Sequence, residues 1–494
     1  MRLNTKQICE YSGGTLLVEP IDASKLACGI SWDSRNISPD DLFVALPGER
    51  SNGHRYVADV LRKGALVVLV TDKPNDETCL LAKEMGAAII EVSDTAHAIS
   101  DLARAWRSKL KGHIIGVTGS TGKTTTKNLV RDVLKASFSV VATKGNQNNE
   151  LGVPATLLEA DPETEVVVVE MGMRGQGQIA ELCAIAAPDM GLITNISEAH
   201  LELLKTTENI ARAKAELFAA LPNGTGIAFM NQSDDFADFV LDEASLEQRQ
   251  VKTIFFNGSG NPAPHNSSEN PTPHNSSENP FVSQGAWAED ITLNAQGQPC
   301  FLLHLGSEAQ ACTLPLRGIH QVANATAAAS VAGVLGMKLA PIVQALETSL
   351  PEVGRQEIHK TRDGAMIIDD SYNANPDSMR AALLMFEAME VSGRRIAVLG
   401  DMGELGEAAR ACHEGIGRLA ATLTLDRVIC VGELSEFVVS AALDEGMSEA
   451  RIVHLDSIAD ILGELDITLA SEDVVLVKAS RFMGLERVVE GLKN

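Results

Sequence analysis

A chain of 494 residues is too long for one hydrophobic core, and 45% hydrophobic with 22% charged residues is an ordinary globular mixture. With 66 Asp and Glu against 41 Lys and Arg, the formal charge of −25 excludes a generally basic surface and hence a nucleic-acid partner. The eight cysteines are scattered without a C-x-x-C pair, which excludes a disulfide scaffold or zinc ribbon and reads as reduced core thiols.

In chain order, residues 1 to about 110 hold short apolar runs, "DLFVAL" and "ALVVLVT", between Gly-, Asp- and Pro-containing turns. They close on the helix-like "AHAISDLARAWRSKL" and read as a small α/β unit. From 111 to 350 the strand candidates are "HIIGVT", "EVVVVEMG", "MGLITNI" and "GIAFMN", separated by helical patterns. From 351 to 494 come "AMIIDD", "RRIAVLG", "RVICVG" and "DVVLVKA". Strands alternating with helices imply a largely parallel sheet covered on both faces. The expectation is therefore three α/β domains, 1–110, 111–350 and 351–494, the last one Rossmann-like.

One stretch fits no core. "PAPHNSSEN" (262–270) is followed at once by "PTPHNSSEN" (271–279), a tandem repeat rich in Pro, Ser, Asn and Glu. Such composition buries too little apolar surface to offset ordering entropy, so a flexible, dispensable insert across 260–280 is expected. Its paired His265 and His274 raise a metal site; a duplicated surface loop is the preferred reading. The start "MRLNTKQICEYSGG" lacks the apolar core of a signal peptide, and no apolar run reaches about 18 residues, so a cytoplasmic location without membrane insertion is expected.

The chemistry begins at Thr118-Gly119-Ser120-Thr121-Gly122-Lys123-Thr124-Thr125. A strict P-loop needs glycine at position 117, where this chain has Val117, so the match is to the shorter T-G-x-x-G-K-T. Glycines let backbone N–H groups turn toward phosphate oxygens, and the following helix offers its positive end. That helix end contributes only about 0.3–1 kcal/mol, so Lys123 must supply much of the charge. The Thr124 hydroxyl is placed to hold Mg²⁺. The alternative is a glycine-containing strand-to-helix turn. Two further strands end in chemistry: "VVVVE" closes on Glu170, and "GLITNISEAH" leads to Glu198 and His200. Ligands of open α/β sheets bind at carboxyl ends of strands. With Thr124, Glu170 and His200 offer ligands for one or two magnesium ions, although magnesium prefers oxygen.

Two other motifs point elsewhere. "GDMGELGEAA" (400–409) spaces its glycines G-x-x-G-x-x-G, not the dinucleotide G-x-G-x-x-G. "NQSD" (231–234) is similar to the guanine-reading N-K-x-D with Gln232 in place of lysine, which keeps a regulatory nucleotide switch as the alternative from another class.

The whole set resembles the Mur ligases, ATP-dependent amide-forming enzymes of bacterial cell-wall synthesis. It comprises "TGSTGKT", "NQNNELGVP" (146–154), "VVEMGM", "SEAHLE" (197–202), "IARAKAELF" (210–218), "GIHQVANATAAA" (318–329), "GRQE" (354–357) and "DDSYNANPDSM" (369–379). Order and spacing carry the resemblance across essentially the whole chain. "DDSYNANPDSM", "VLGDMGELGE" and "SRFMGLERVV" look like those members that add D-alanyl-D-alanine to UDP-N-acetylmuramoyl-tripeptide. The D-N-P-R of diaminopimelate-adding members is absent, and folate polyglutamate ligases carry a different segment in place of "DDSYNANP".

The resemblance implies a carboxylate activated by the terminal phosphoryl of ATP and captured by the amine of the dipeptide, in a monomer. Carried onto this chain, Lys123 and Thr124 keep their phosphate and metal roles, Gly119, Ser120, Thr121, Gly122 and Thr125 cradle phosphates, and Asn149 lies near them. Glu170 and His200 match magnesium ligands. Asn324 matches an adenine contact, with His320 nearby and Gln321 standing where many members have asparagine. Arg355 matches the arginine that reaches the terminal phosphate, and Asp370 a ribose or nucleotide ligand. Tyr372, Asn373 and Asn375 lie where incoming substrate binds. By itself Lys214 reads as a solvated cation. The resemblance makes it a carbamate formed with carbon dioxide, a ligand to a second magnesium, and that reaction needs a neutral, desolvated amine. In the first domain Ser34 and Arg35 are candidates for the uridine diphosphate end, beside Asn52; a polar turn is the alternative there.

Overall fold

The structure, a computed structural model, describes residues 1–48, 52–198, 201–258 and 282–493, the side chains of residues 282 and 466–468 excepted. The repeat 262–279 and His200 lie outside the described residues. The chain forms two compact units: residues 1–117, 138–173 and 178–191, and residues 118–137, 174–177 and 192–494.

The first unit contains a five-stranded sheet in the order Thr15–Val18, Ala88–Glu91, Val67–Val70, Asp41–Val44, Gly29–Ser31. Its last four strands are parallel. Val67–Val70 is buried along its full length, so its run of four apolar residues is that of a strand covered on both faces. Helix Thr95–Arg107 starts where the Asp94 side chain accepts the N–H of His97, and it buries Ala98, Ile99, Leu102, Ala103 and Trp106, one stripe at helical spacing. The same unit holds Val140–Ala142, Val166–Glu170 and His113–Val117 as parallel neighbours.

In the second unit Ile227–Asn231, Lys252–Asn257 and Val282–Leu293 pair in parallel. An antiparallel extension, Pro299–Leu305 and Glu308–Thr313, follows. This extension has no counterpart in the sequence reading, because its outer strand exposes five of six residues and carries no apolar run. The remaining sheet runs Glu357–Lys360, Met366–Asp370, Val474–Lys478, Arg395–Gly400, Arg427–Val431, Ile452–Leu455. Only the edge strand Glu357–Lys360 is antiparallel. Its two faces carry separate cores, one around Leu383, Phe386 and Leu399, the other around Val398, Val475 and Val488. All eight strand candidates form strands, and the two apolar runs of the first domain hold strands Asp41–Val44 and Val67–Val70. The cysteines are free, as expected, but only Cys183, Cys312 and Cys430 are buried; Cys28 is exposed, a correction to their reading as core thiols. No helix among the described residues is long and apolar enough to cross a membrane.

Candidate functional site

Strand His113–Thr118 delivers the loop, and Val117 lies fully buried inside it, which explains why no glycine stands there. Gly119 has φ 151°, and a Cβ added to it would sit 1.8 Å from Thr194 Oγ1. Gly122, φ 74°, is the N-cap of helix Lys123–Lys135, and its added Cβ would come 2.9 Å from Asn324 Oδ1. Both positions therefore require glycine. The segment after the strand Met190–Ile193 clasps the loop. Thr194 Oγ1 donates to Thr121 O (2.6 Å), Asn195 Oδ1 accepts from Thr121 N (2.9 Å), and Asn195 Nδ2 donates to Thr121 Oγ1 (2.5 Å). Ser120 Oγ donates to Ser197 O (3.0 Å) and accepts from Ser197 N (2.9 Å). Lys123 Nζ folds back onto Gly119 O (2.8 Å) and Ser120 O (3.1 Å). Thr124 is buried and Thr125 half-buried in the first helical turn.

Residues distant in sequence meet this loop within the second unit. Arg355 Nη2 donates to Thr124 Oγ1 (3.2 Å), and its guanidinium lies 4.3 Å over the Tyr372 ring, which Arg481 also approaches at 5.4 Å. Arg355 Nε is buried without a hydrogen-bond partner among the described residues. Thr126 Oγ1 donates to Asn324 Oδ1 (3.0 Å), and Asn324 Nδ2 donates to Gln321 Oε1 (2.8 Å), so Gln321 holds Asn324 in place. Asp370 is 9% exposed. Burial raises its carboxyl pKa, against the pull of Lys478 and Arg355. Lys478 Nζ donates to Asp370 Oδ2 (2.7 Å) and to Asn373 O (3.0 Å), joining the strand end to the Tyr372–Asn373 loop. Asn375 is occupied as the N-cap of helix Pro376–Ala388, where its Oδ1 accepts from Ser378 N (2.8 Å).

Lys214 sits on helix Thr207–Ala219, N-capped by Thr206, and is 1% exposed. Burial, reinforced by the nearby Lys123 cation, holds its amine well below the usual lysine range. A solvated surface lysine, the reading from sequence alone, is thereby replaced. Asp234 of the "NQSD" motif is occupied by backbone: its Oδ2 accepts from Ile196 N (2.7 Å) and its Oδ1 from Phe236 N (3.0 Å). It shapes the clasp behind the loop.

In the first unit Glu170 ends its strand opposite Val117, 1% exposed, with its backbone N–H on Thr143 Oγ1 (2.9 Å). Its Oε1 accepts from Asn148 Nδ2 (2.8 Å). Asn149 Oδ1 accepts from Gly152 N (3.1 Å) at the start of helix Gly152–Glu159. Asn148, then, is the asparagine that touches the carboxylate. Ser34 and Arg35 stand in a turn where Arg35 grips Asp33 (Nη2 to Oδ2, 2.7 Å), holding that carboxyl down at about 2, and Ser34 O accepts from Lys63 Nζ (2.6 Å). Asn52 Oδ1 accepts from His54 N (2.9 Å), capping a short turn of helix.

Sequence reasoning missed Thr194, Asn195, Asn148 and Lys478. For Lys478 a signal existed: it closes the buried run "DVVLV" as Glu170 closes "VVVV". The other three are short polar residues with no pattern of their own.

Three family models match the chain: the Mur ligase family catalytic domain over residues 28–107, the Mur ligase middle domain over 117–332, and the Mur ligase glutamate ligase domain over 354–481. A UDP-N-acetylmuramoyl-tripeptide–D-alanyl-D-alanine ligase from Mycobacterium tuberculosis (strain CDC 1551 / Oshkosh) is 36% identical over 528 residues, covering 100% of this chain and 98% of its own. The crystal structure of MurF from Acinetobacter baumannii superposes with a TM-score of 0.81 at 30% identity, covering 100% and 99% of the two chains. MurF ligase from Thermotoga maritima, in complex with ADP, gives 0.73 at 27% identity over 94% and 97%. The phosphate loop, its clasp and the three consecutive domain matches lead to one assignment: this chain belongs to the Mur ligase family and has its three-domain α/β architecture.

Proposed function

We propose that this chain joins D-alanyl-D-alanine to UDP-N-acetylmuramoyl-tripeptide, with ATP converted to ADP and phosphate, as the final ligase of the peptidoglycan-precursor series. The observation that carries this reading is Arg355. One guanidinium touches Thr124 of the phosphate loop and stacks on Tyr372 of the substrate loop. In this reading Arg355 links a phosphoryl donor site to an amine acceptor site, which a nucleotide switch does not need.

The chemistry follows from charge. A carboxylate is a poor acylating group until the terminal phosphoryl is transferred to its oxygen. The dipeptide amine then attacks the acyl carbon, a C–N bond forms, the C–O bond to phosphate breaks, and the amine loses its proton. Lys123 and the N–H groups of residues 119–125 bind the phosphates, and Arg355 offsets charge on the terminal one. Asp370 serves as a ribose or nucleotide ligand, Asn324 contacts the base, and Tyr372 and Asn373 orient the dipeptide. Asn375 acts on that loop through its cap. Ser34 and Arg35 receive the uridine diphosphate end.

The chemistry of the single residues supports a magnesium role: Thr124 and Glu170 each bury an oxygen donor, and the depressed amine of Lys214 favours capture of carbon dioxide as a carbamate. His200 completes the set in this reading. Magnesium bound there, as two ions, would neutralise crowded phosphate oxygens. Residues 1–110 serve the muramoyl-peptide substrate, 111–350 the nucleotide and 351–494 the incoming amine, in a cytoplasmic monomer.

Phosphate release and product mass measured with ATP, D-alanyl-D-alanine and UDP-muramoyl-tripeptides bearing lysine or diaminopimelate test the reading. Release that requires both peptides, with their joined product, is expected. ATP split equally fast without either peptide, and no joined product, would defeat it.

A further inference from the structure

The edge hairpin of the six-stranded sheet carries a cluster that the ligase reading does not use. Its register sets Glu357 opposite Asp369 and His359 opposite Ile367. Residues two apart on a strand share a face, and directly paired residues share it too, so Glu357, His359 and Asp369 stand together. His359 Nε2 is 3.5 Å from Glu357 Oε2 and 4.0 Å from Asp369 Oδ2. All three donor atoms lie within 4.8 Å of one another. The Asp369 side chain is 7% exposed and that of His359 17%.

An ion pair alone explains this poorly. Two carboxylates directly paired across a ladder repel unless a cation lies between them. The imidazole nitrogen stands beyond the usual hydrogen-bond length of roughly 2.7–3.2 Å from both. Asp369 Oδ1 is already bound by Ser371 N (3.0 Å) and Oγ (2.6 Å). Its Oδ2 faces His359 with no hydrogen bond among the described residues.

We propose that Glu357, His359 and Asp369 form a site for a divalent transition cation of the zinc class, with a fourth position open to water. Zinc bonds of about 2.0–2.2 Å hold tetrahedral donors roughly 3.4 Å apart, close to the 3.5 Å between His359 and Glu357, while the 4.0 Å between His359 and Asp369 must shorten. The long, 32% exposed side chain of Glu357 leaves room to adjust around an ion. An imidazole nitrogen beside two carboxylates favours zinc over magnesium and calcium. The ion would tie together two strands at points two residues after Arg355 and one residue before Asp370. It is separate from the phosphate loop.

The test uses the full chain stripped of metal and free of nucleotide, titrated with zinc chloride by calorimetry, beside His359→Ala and Glu357→Gln. Circular dichroism checks that each variant is folded, and Glu357→Gln keeps the hairpin's volume. Because other cysteines and histidines bind zinc weakly, the expected result is the loss of one equivalent in His359→Ala, and an affinity for that equivalent weakened roughly 100-fold in Glu357→Gln. Zinc-soaked crystals should give an anomalous peak between the three side chains. Equal stoichiometry and affinity in wild type and both variants, or a peak confined to other sites, overturns the proposal.

Discussion

At the scale of single residues, burial decides chemistry. Lys214 is charged in water and is held toward neutrality here by desolvation and by Lys123. If its carbamate serves as a metal ligand, Lys214→Ala should lower kcat at least about 100-fold, some 3 kcal/mol of transition-state stabilisation. Added acetate should restore part of that rate by supplying the missing oxygens, while Lys214→Arg should respond to acetate not at all. Rates of the three proteins with and without acetate give the answer. His320 makes a second prediction. Burial, with a contribution from Lys478, pushes its pKa down to about 4. An unfolded histidine titrates near 6.5, so between these values the unfolded chain binds a proton that the folded chain does not. Stability is therefore full above about pH 6.5 and is lost as pH falls toward 4, by on the order of 3 kcal/mol. Urea titrations at pH 7 and pH 5 should show that difference shrinking in His320→Gln.

At the scale of elements, the phosphate loop is a strand end, two left-handed or strained glycines and a helix start, held by a second strand end. The sequence announces the glycines and the lysine. It is silent on the clasp, because Thr194 and Asn195 act through contacts across 73 and 74 residues that no local pattern encodes. Gly119→Ala places a methyl 1.8 Å from Thr194 Oγ1, so the loop or the clasp must move. We expect ADP binding by calorimetry to weaken at least about tenfold, while Gly463→Ala, at an exposed helical glycine with nothing within 4 Å, changes ADP affinity little. Equal affinities in both variants would show that the close approach is unimportant. The helix Pro376–Ala388 teaches the reverse lesson. Its "NP" start is a cap that is readable from sequence, and the Asn375 side chain makes that cap.

At the scale of the whole molecule, the repeat bears on how the chain is connected. Strands Lys252–Asn257 and Val282–Leu293 are parallel neighbours, with Thr253 paired to Val282. In sequence, 23 residues separate Gly258 from Val282. Parallel connections take about a dozen residues or more. Deleting one nine-residue copy leaves 14 and should change neither melting temperature nor turnover; deleting both leaves five and should lower the melting temperature. The same melting behaviour for both deletions would refute this.

By itself the sequence determined the parallel strands, the phosphate loop, the order of motifs and so the family, because each rests on local spacing: apolar runs between turns, glycines before a lysine, a cap before a helix. Only the tertiary structure decided that Lys214 is sealed from water, that Arg355 joins Thr124 to Tyr372, and that Glu357, His359 and Asp369 share one face of a hairpin. Desolvation and convergence are properties of surroundings assembled from distant parts of the chain, and no stretch of residues carries them alone.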